Sequence, residues 1–302
     1  MERTHQFSLI SALILSLVCL LPSHTVVAAG YSYYVDYFKV QTNAGVQQDN
    51  FDDGNISPWS VEAGTAQESG GSAILSDPGS TGTMGSANVE ITSVETSGSS
   101  PLNISVGSGD ATATSHWITN VHPTLGQSYM MGSGFEFDSG NPVTSGDIYA
   151  YTGLANADQT TANALSSLVG TPVPTGLFAF FEVGRRVAGS VDSRTFQIAS
   201  ITDTNLFDAG SLFLKLHYDD LAQEIAASIV FGNDENGSAW EPFNTVAIPS
   251  HPGDLEFGEW ALEVDSFTPV PIPAALPLFG SALGLFGFIG RKRRAISQTR
   301  PD

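Results

Sequence analysis

The chain predicts an all-β fold, an antiparallel β-sandwich, and three observations point to it. Between Gly30 and Thr268 apolar residues recur at period two, the spacing that puts alternate side chains on one face of a strand. Gly, Asn, Asp and Pro punctuate these runs at short intervals, as turns between strands require. Only residues 155–168 read as a short helix or loop, so the helix–strand alternation of a parallel sheet is missing.

Taken in order, the strands are expected over residues 31–40, 87–94, 102–106 and 114–121, the last carrying Trp117 as a core residue. Residues 128–138 place Met131, Phe135 and Phe137 on one face. Residues 148–151, 177–183 and 195–201 follow. Residues 212–218 alternate cleanly, and 225–231 pair with them across Asp219-Asp220-Leu221-Ala222-Gln223. Residues 240–248 and 260–267 complete the set.

A length of 302 residues is compatible with about two domains, but an all-β sandwich can run to about 250 residues as one. The body, residues 30–268, is read as one. It holds five basic residues (Lys39, Arg185, Arg186, Arg194 and Lys215) against 29 acids, a net charge of −24. Such a surface repels phosphate backbones and anionic headgroups, which argues against nucleic acid and a membrane surface as partners of the body. No phosphate-cradling glycine loop is present, so nucleotide binding has no support. Cys19 is the single cysteine and falls in the expected leader, which leaves the body without disulfide or thiol chemistry.

Residues 1–29 read as a signal peptide: Arg3 and His5, an apolar run over residues 7–21, a break at Pro22-Ser23, and small residues at Val27-Ala28-Ala29 before the cut. At the other end, residues 269–294 form a second address. Val270-Pro271-Ile272-Pro273-Ala274 opens an uncharged stretch that runs to Gly290, and Arg291-Lys292-Arg293-Arg294 stops it. Pro271, Pro273 and Pro277 favour an extended entry, so a helix begins near Pro277. Its 14 residues to Gly290 are short of the ~20 a full span needs. The basic stop would hold to the cytoplasmic side and leave the body outside. Residues 295–302 are a short tail.

This terminal pattern resembles the PEP-CTERM sorting tail of bacterial surface proteins in its V-P-x-P-A form, with Ile272 where the founding pattern has a glutamate. The resemblance covers about 25 residues and implies recognition by an exosortase-type membrane protease. It also implies a membrane-inserted precursor, release or transfer to the cell surface, and association with exopolysaccharide and biofilm matrix. The body, in turn, has recurring Asp/Gly turns: Asp49-Asn50-Phe51-Asp52-Asp53-Gly54, Tyr218-Asp219-Asp220 and Gly232-Asn233-Asp234-Glu235-Asn236-Gly237. With its strand pattern and the closing Leu262-Glu263-Val264-Asp265-Ser266-Phe267, it resembles the concanavalin A-like (laminin G-like) jelly-roll sandwich. That fold hosts lectins, glycosidases and matrix domains, so it does not by itself assign an activity.

Candidate chemistry follows from residue types. A glycosidase needs two carboxylates about 5–10 Å apart. Glu136-Phe137-Asp138 and Glu263-Val264-Asp265 each begin the E-x-D-x-x-E strand pattern of sandwich glucanases, but Asn141 and Thr268 end it, so no catalytic residue is assigned. Calcium takes clustered oxygen ligands on loops. Asp49, Asp52 and Asp53, joined by Asp265 if first and last strands neighbour, could hold a structural Ca²⁺; plain turn chemistry explains the same residues. Asn233, Asp234, Glu235 and Asn236 form a second such cluster. His116, His122, His217 and His251 make no zinc pattern. Trp59, Trp117, Trp240 and Trp260 could stack on sugars but are equally core residues. Tyr149 and Tyr151 share a face beside Gly153 and are the ligand-binding candidates. Arg185-Arg186 either grips an acidic sugar or sits in a turn after Gly184, and the turn is the expectation.

The sequence thus reads as an exported, exosortase-sorted surface or matrix protein with a non-catalytic, carbohydrate-associated body. The alternatives are an extracellular polysaccharide-active enzyme and an adhesion protein without a small ligand.

Overall fold

The structure, a computed structural model, describes residues 32–57, 59–63, 65–76, 87–94, 109–118, 128–138, 146–188, 190–203, 210–250 and 256–267. The leader, the sorting residues Val270 to Ala274, the basic stop Arg291 to Arg294, the expected strand 102–106, His122 and His251 lie outside the described residues. Among the described residues no helix is long and apolar enough to cross a membrane.

Among the described residues, sixteen strands and one helix follow in order. They are β1 (Ser32–Thr42), β2 (Gly45–Asp49), β3 (Trp59–Ala63), β4 (Thr65–Glu68), β5 (Ala73–Ser76), β6 (Ala87–Val94), β7 (Ala111–Ile118), β8 (Ser128–Asp138) and β9 (Asp147–Ala157). Helix α1 (Gln159–Val169) interrupts, and β10 (Gly176–Val187), β11 (Ser190–Ser200), β12 (Ser211–Asp219), β13 (Glu224–Phe231), β14 (Ala239–Trp240), β15 (Val246–Ala247) and β16 (Glu256–Phe267) complete the chain. They form two antiparallel sheets. The nine-stranded sheet runs β14-β13-β12-β7-β1-β5-β4, with β15 on β13 and β2 on β1. The seven-stranded sheet runs β11-β10-β9-β8-β16-β6-β3.

Each sheet turns one face inward. Val35, Phe38, Trp117, Leu214 and Ile229 come from the nine-stranded sheet, and Phe135, Ile148, Phe181, Leu262 and Val264 from the other, to fill one buried core. Phe38 meets both Trp59 and Trp260 across the interface, at ring separations of 5.3 and 5.8 Å. Each such side chain contributes about 1.5–3 kcal/mol by burial. Three polar groups inside form a chain: Trp117 Nε1 donates to Ser115 Oγ at 2.8 Å, and that hydroxyl donates across the sheets to Ser133 Oγ at 2.8 Å. Trp59, Trp117 and Trp260 are core residues, and Trp240 packs partly buried at 6.0 Å from Phe231.

The expected hairpin 212–231 forms in the register Leu212↔Phe231 to Asp219↔Glu224. Asp219 Oδ1 caps its turn by accepting from Ala222 N at 2.8 Å. Several strands differ in extent: β11 starts at Ser190 rather than 195, β16 at Glu256 rather than 260, and the expected strand 240–248 is two short pieces, β14 and β15. β7 starts at Ala111, earlier than the expected 114, and the expected residues 119–121 lie outside the described residues. β9 and β10 are far longer than expected, because α1 and β11 extend the packing beyond the alternating segments. The helix starts at Gln159 rather than 155, because Asp158 Oδ1 accepts from Thr161 N and caps it there; Gly170, at φ 71°, ends it.

Candidate functional site

The outer face of the seven-stranded sheet carries a second apolar cluster, separate from the core, under α1. Met130, Tyr149, Tyr151, Ala155, Phe178 and Phe180 rise from β8, β9 and β10, and Ala162 and Leu165 of α1 close over them. Strand alternation explains the sorting: Ile148, Ala150 and Leu154 go to the core, while Tyr149, Tyr151 and Ala155 go outward. Glycines opposite the rings make room. A Cβ on Gly134 would overlap the Tyr151 ring, and one on Gly184 would overlap Tyr149.

At one end of this face the aromatic cluster passes into a buried charged network. Arg186 is 6% exposed; its Nη1 donates to Glu136 Oε2 at 2.8 Å, and its guanidinium lies 4.3 Å over the Tyr149 ring. The Tyr149 hydroxyl donates to Glu182 Oε1 at 2.8 Å, and Arg194 Nη1 stands 3.8 Å from the same oxygen. Burial raises the Glu182 pKa, against the Tyr149 hydrogen bond and the two arginines, which lower it. Burial also pushes the Tyr149 hydroxyl above its ordinary value, with the Glu182 charge beside it acting the same way. Burial works against the Arg186 charge, but Glu136, Tyr151, Tyr149 and Glu182 together outweigh it, and the net direction is up.

Three expectations are corrected here. Arg185-Arg186 lies not in a turn but inside β10, opposite Ile148 and Asp147 of β9, because the strand continues past Gly184 to Val187. Neither arginine is open to an acidic sugar: Arg185 pairs with Asp192 and Arg186 with Glu136. Tyr149, at 2% exposed, is a packing and hydrogen-bonding residue rather than a stacking platform. Tyr151, at 7%, is nearly as buried, but it lines a pocket.

That pocket opens between α1 and the sheet, with about 430 Å³ of space including its mouth. Phe178, Phe180, Phe196, Tyr151, Met130 and Leu165 supply most of its wall, and among the described residues Glu182 is the single ionisable side chain other than tyrosine that reaches it. Glu182 was legible as an anomaly: Leu177-Phe178-Ala179-Phe180-Phe181-Glu182-Val183 is apolar on both faces, the pattern of a strand covered on both sides, and one acid interrupts it.

The oxygen-rich loops are engaged in turns. Asp49 Oδ1 accepts from Phe51 N at 2.9 Å, and its Oδ2 accepts from Trp59 Nε1 at 2.8 Å. Asp53 Oδ1 accepts from Asn55 N at 2.8 Å, and Glu68 Oε2 accepts from the same N–H at 2.9 Å; Asp52 is exposed. The neighbourhood of Glu68 was not anticipated, since β4 has no strand signature. Burial raises the Glu68 pKa to about 7, helped by its contact with Asp53 and the charges of Asp53 and Asp49 and opposed by the Asn55 N–H. The first and last described strands are not neighbours. β1 and β16 lie in different sheets, and Asp265 sits in register with Asn88 and Met130. Among the described residues no three His, Cys, Asp or Glu are placed to hold a metal ion.

The second loop cluster folds onto the nine-stranded sheet instead. Glu235 accepts from Tyr37 at 2.8 Å and pairs with Lys39, while Lys215 donates to the Glu235 carbonyl at 2.7 Å. Burial raises the Glu235 pKa, but the Lys39 and Tyr37 hydrogen bonds lower it further, and the net direction is down. Asn233 accepts from Ser211, and Asp234 from Asn236 N. His217 is exposed beside Thr112; His116 is buried, stacked 4.3 Å from Phe213, with Nδ1 3.0 Å from Asp36. Glu263 is 3% exposed on β16, one strand from Glu136.

No protein-family model matches the chain, and no curated protein matches it. Solved structures matched by the chain include the Bauhinia forficata lectin in complex with GalNAc, at 10% identity over 79% of this chain and 96% of that one, TM-score 0.23. Basic winged bean lectin with Tn-antigen matches at 13% identity over 80% and 100%, TM-score 0.21. The binding domain of botulinum neurotoxin DC in complex with SialylT matches at 10% over 81% and 50%, TM-score 0.21.

Proposed function

We propose that the chain is an exported, exosortase-sorted protein of the cell surface or extracellular matrix, and that its sandwich associates with uncharged carbohydrate without catalysis. Export and sorting are supported by the leader, the Val270-Pro271-Ile272-Pro273-Ala274 motif and the Arg291-Lys292-Arg293-Arg294 stop. The observation that carries the reading of the body is the Arg186–Glu136 pair. One of the two acids that begin a glucanase-like pattern, Glu136, is held at 2.8 Å in an ion pair with a buried guanidinium rather than standing open to a substrate. The preference for uncharged over acidic polysaccharide follows from the cations. Each of the five in the body stands within 4 Å of a carboxylate, so an acidic chain would meet a surface of net charge −24 with no free counter-charge.

The test takes the protein from its native host with and without the sorting protease. A product ending near Val270 to Ala274 outside the cell, retained on neutral but not acidic polysaccharide and releasing no sugar, is the expected result. A full-length membrane-held product in both strains would remove the sorting half. Sugar release lost on Glu136→Gln would replace the binding half with an enzyme.

A further inference from the structure

The loop between β13 and β14 is fastened to the nine-stranded sheet at one residue and carries a reactive pair at the next. Asn236-Gly237 is the only Asn-Gly pair in the chain, and Asn236 is exposed. Glycine has no side chain to crowd its nitrogen, so an asparagine before it is the one most open to attack by the main-chain nitrogen that follows. In the folded loop that attack is blocked. Gly237 N donates to Asp234 O at 2.9 Å, which closes a turn over residues 234–237, and Asn236 N donates to Asp234 Oδ1 at 3.0 Å. The turn is tight: a Cβ on Gly237 would stand 3.0 Å from Asp234 O and 3.3 Å from Val230.

Glu235, one of the two central residues of the turn, holds it down. Tyr37 donates to its Oε2 at 2.8 Å, Lys39 pairs with both of its carboxylate oxygens, and Lys215 donates to its carbonyl at 2.7 Å. Two strands, β1 and β12, thus clamp the residue beside the reactive pair.

We propose that Asn236-Gly237 is a self-modifying site, a one-way deamidation whose rate is set by the opening of this turn and therefore by the Glu235 clamp. When the turn opens, Gly237 N loses its proton to hydroxide and its electron pair attacks the Asn236 side-chain carbon. The bond from that carbon to the amide nitrogen breaks, the nitrogen takes a proton from water, and ammonia leaves behind a five-membered succinimide. Water then opens the ring at either carbonyl, giving aspartate or isoaspartate at position 236. One water is consumed and one ammonia released, with no oxidant or cofactor. Isoaspartate lengthens the main chain by one carbon before Gly237, so the turn no longer closes at the same spacing. Either product sets a new carboxylate beside Asp234 and Glu235, where like charges repel. The loop is released from Tyr37 and Lys39, and refolding does not restore it. This chemistry is independent of what the body binds.

The test ages the purified full-length protein in detergent micelles, in native buffer and in urea at the same pH. Mass spectrometry of its peptides reads the exchange of amide for acid. In urea Asn236 should convert before any other asparagine, and faster as hydroxide rises. In native buffer it should convert more slowly, because only the open turn reacts. Glu235→Gln and Lys39→Met should each raise the ratio of native to urea rate about fivefold, the closure lost with one hydrogen bond. Arg185→Gln, which breaks an ion pair elsewhere on the surface, should leave that ratio unchanged. Hydrogen exchange in the aged protein should quicken over residues 232–238 while β12 keeps its protection. Equal rates in native buffer and urea, a ratio that either clamp variant leaves unmoved, or earlier conversion at another asparagine in urea would each overturn the proposal.

Discussion

Arg186 occupies the most demanding environment of any basic residue in the body. It is buried, it faces Glu136, and it lies over Tyr149, whose hydroxyl serves Glu182. Removing a buried cation leaves its partner acid uncompensated, a larger loss than the pair itself contributed. Arg186→Met should therefore destabilise the protein by about 3 kcal/mol, read from the urea midpoint. Arg194→Met, whose nitrogen stands 3.8 Å from Glu182, should cost about 1 kcal/mol or less. Equal losses would mean that the ion pair does not organise this face. Glu68 makes a second prediction, of opposite sign. Its pKa rises from 4.5 to about 7 on folding, so the native state holds an extra proton between those values. Its stabilising contribution is whole below pH 4.5 and is lost as pH rises through 7. Because Glu68 is part-exposed, the slope is shallow. Glu68→Gln should flatten it and leave the variant more stable than the parent at pH 8 but not at pH 4. An unchanged pH profile would show that Asp53 and Asp49 do not press on it.

Helix α1 is the one element whose loss would open the outer cluster while leaving the core intact. Its Ala162 and Leu165 cover Phe178 and Phe180, and its start depends on Asp158. Asp158→Ala should cost about 1 kcal/mol. The cost should be local: hydrogen exchange should quicken over residues 159–169 while β12 and β13 keep their protection. Slowing nowhere but in the core, or uniform change, would contradict that division. The same element shows what sequence periodicity can and cannot reveal. β12 and β13 were legible because one face is core and the other carries polar residues such as Lys215 and His217, so their alternation is clean. The far half of β9, Thr152 to Ala157, was not, because core and α1 bury both its faces and small residues erase the period. β2 and β4 are short and mostly polar, and pairing alone makes them strands. In the site, Glu182 could be seen as an acid in an apolar run. Its neighbours could not, since Glu136 and Arg186 are 50 residues apart and meet only because β8, β9 and β10 are adjacent. Tyr149 and Tyr151 were rightly placed on one face, but whether that face was open depended on the helix.

At the scale of the whole molecule, charge is the property that distinguishes this sandwich. The body carries 29 acids and five bases, and the bases are drawn inward. Lys39 and Lys215 hold Glu235 to the outer face of the nine-stranded sheet, Arg185 pairs with Asp192, Arg186 with Glu136, and Arg194 stands near Glu182. Every cation thus stands near a carboxylate, and the acids outnumber the cations by 24. Two salt effects then compete. Added salt weakens the exposed part of the ion pairs, but it also screens the mutual repulsion of the unpaired acids, which outnumber them. Arg186 is buried and Glu136 half-buried, so their pair is less affected. Repulsion should dominate, so the melting temperature should rise by several degrees between ~0.01 and ~0.5 M NaCl, most steeply where the Debye length falls from about 30 to about 10 Å. Arg185→Gln removes an exposed pair and raises the net negative charge, so its melting temperature should depend on salt more steeply than the parent's. A melting temperature that falls with salt would mean that the ion pairs carry more of the fold than the repulsion removes. The acidic surface could then not be treated as a simple electrostatic shell around an apolar core.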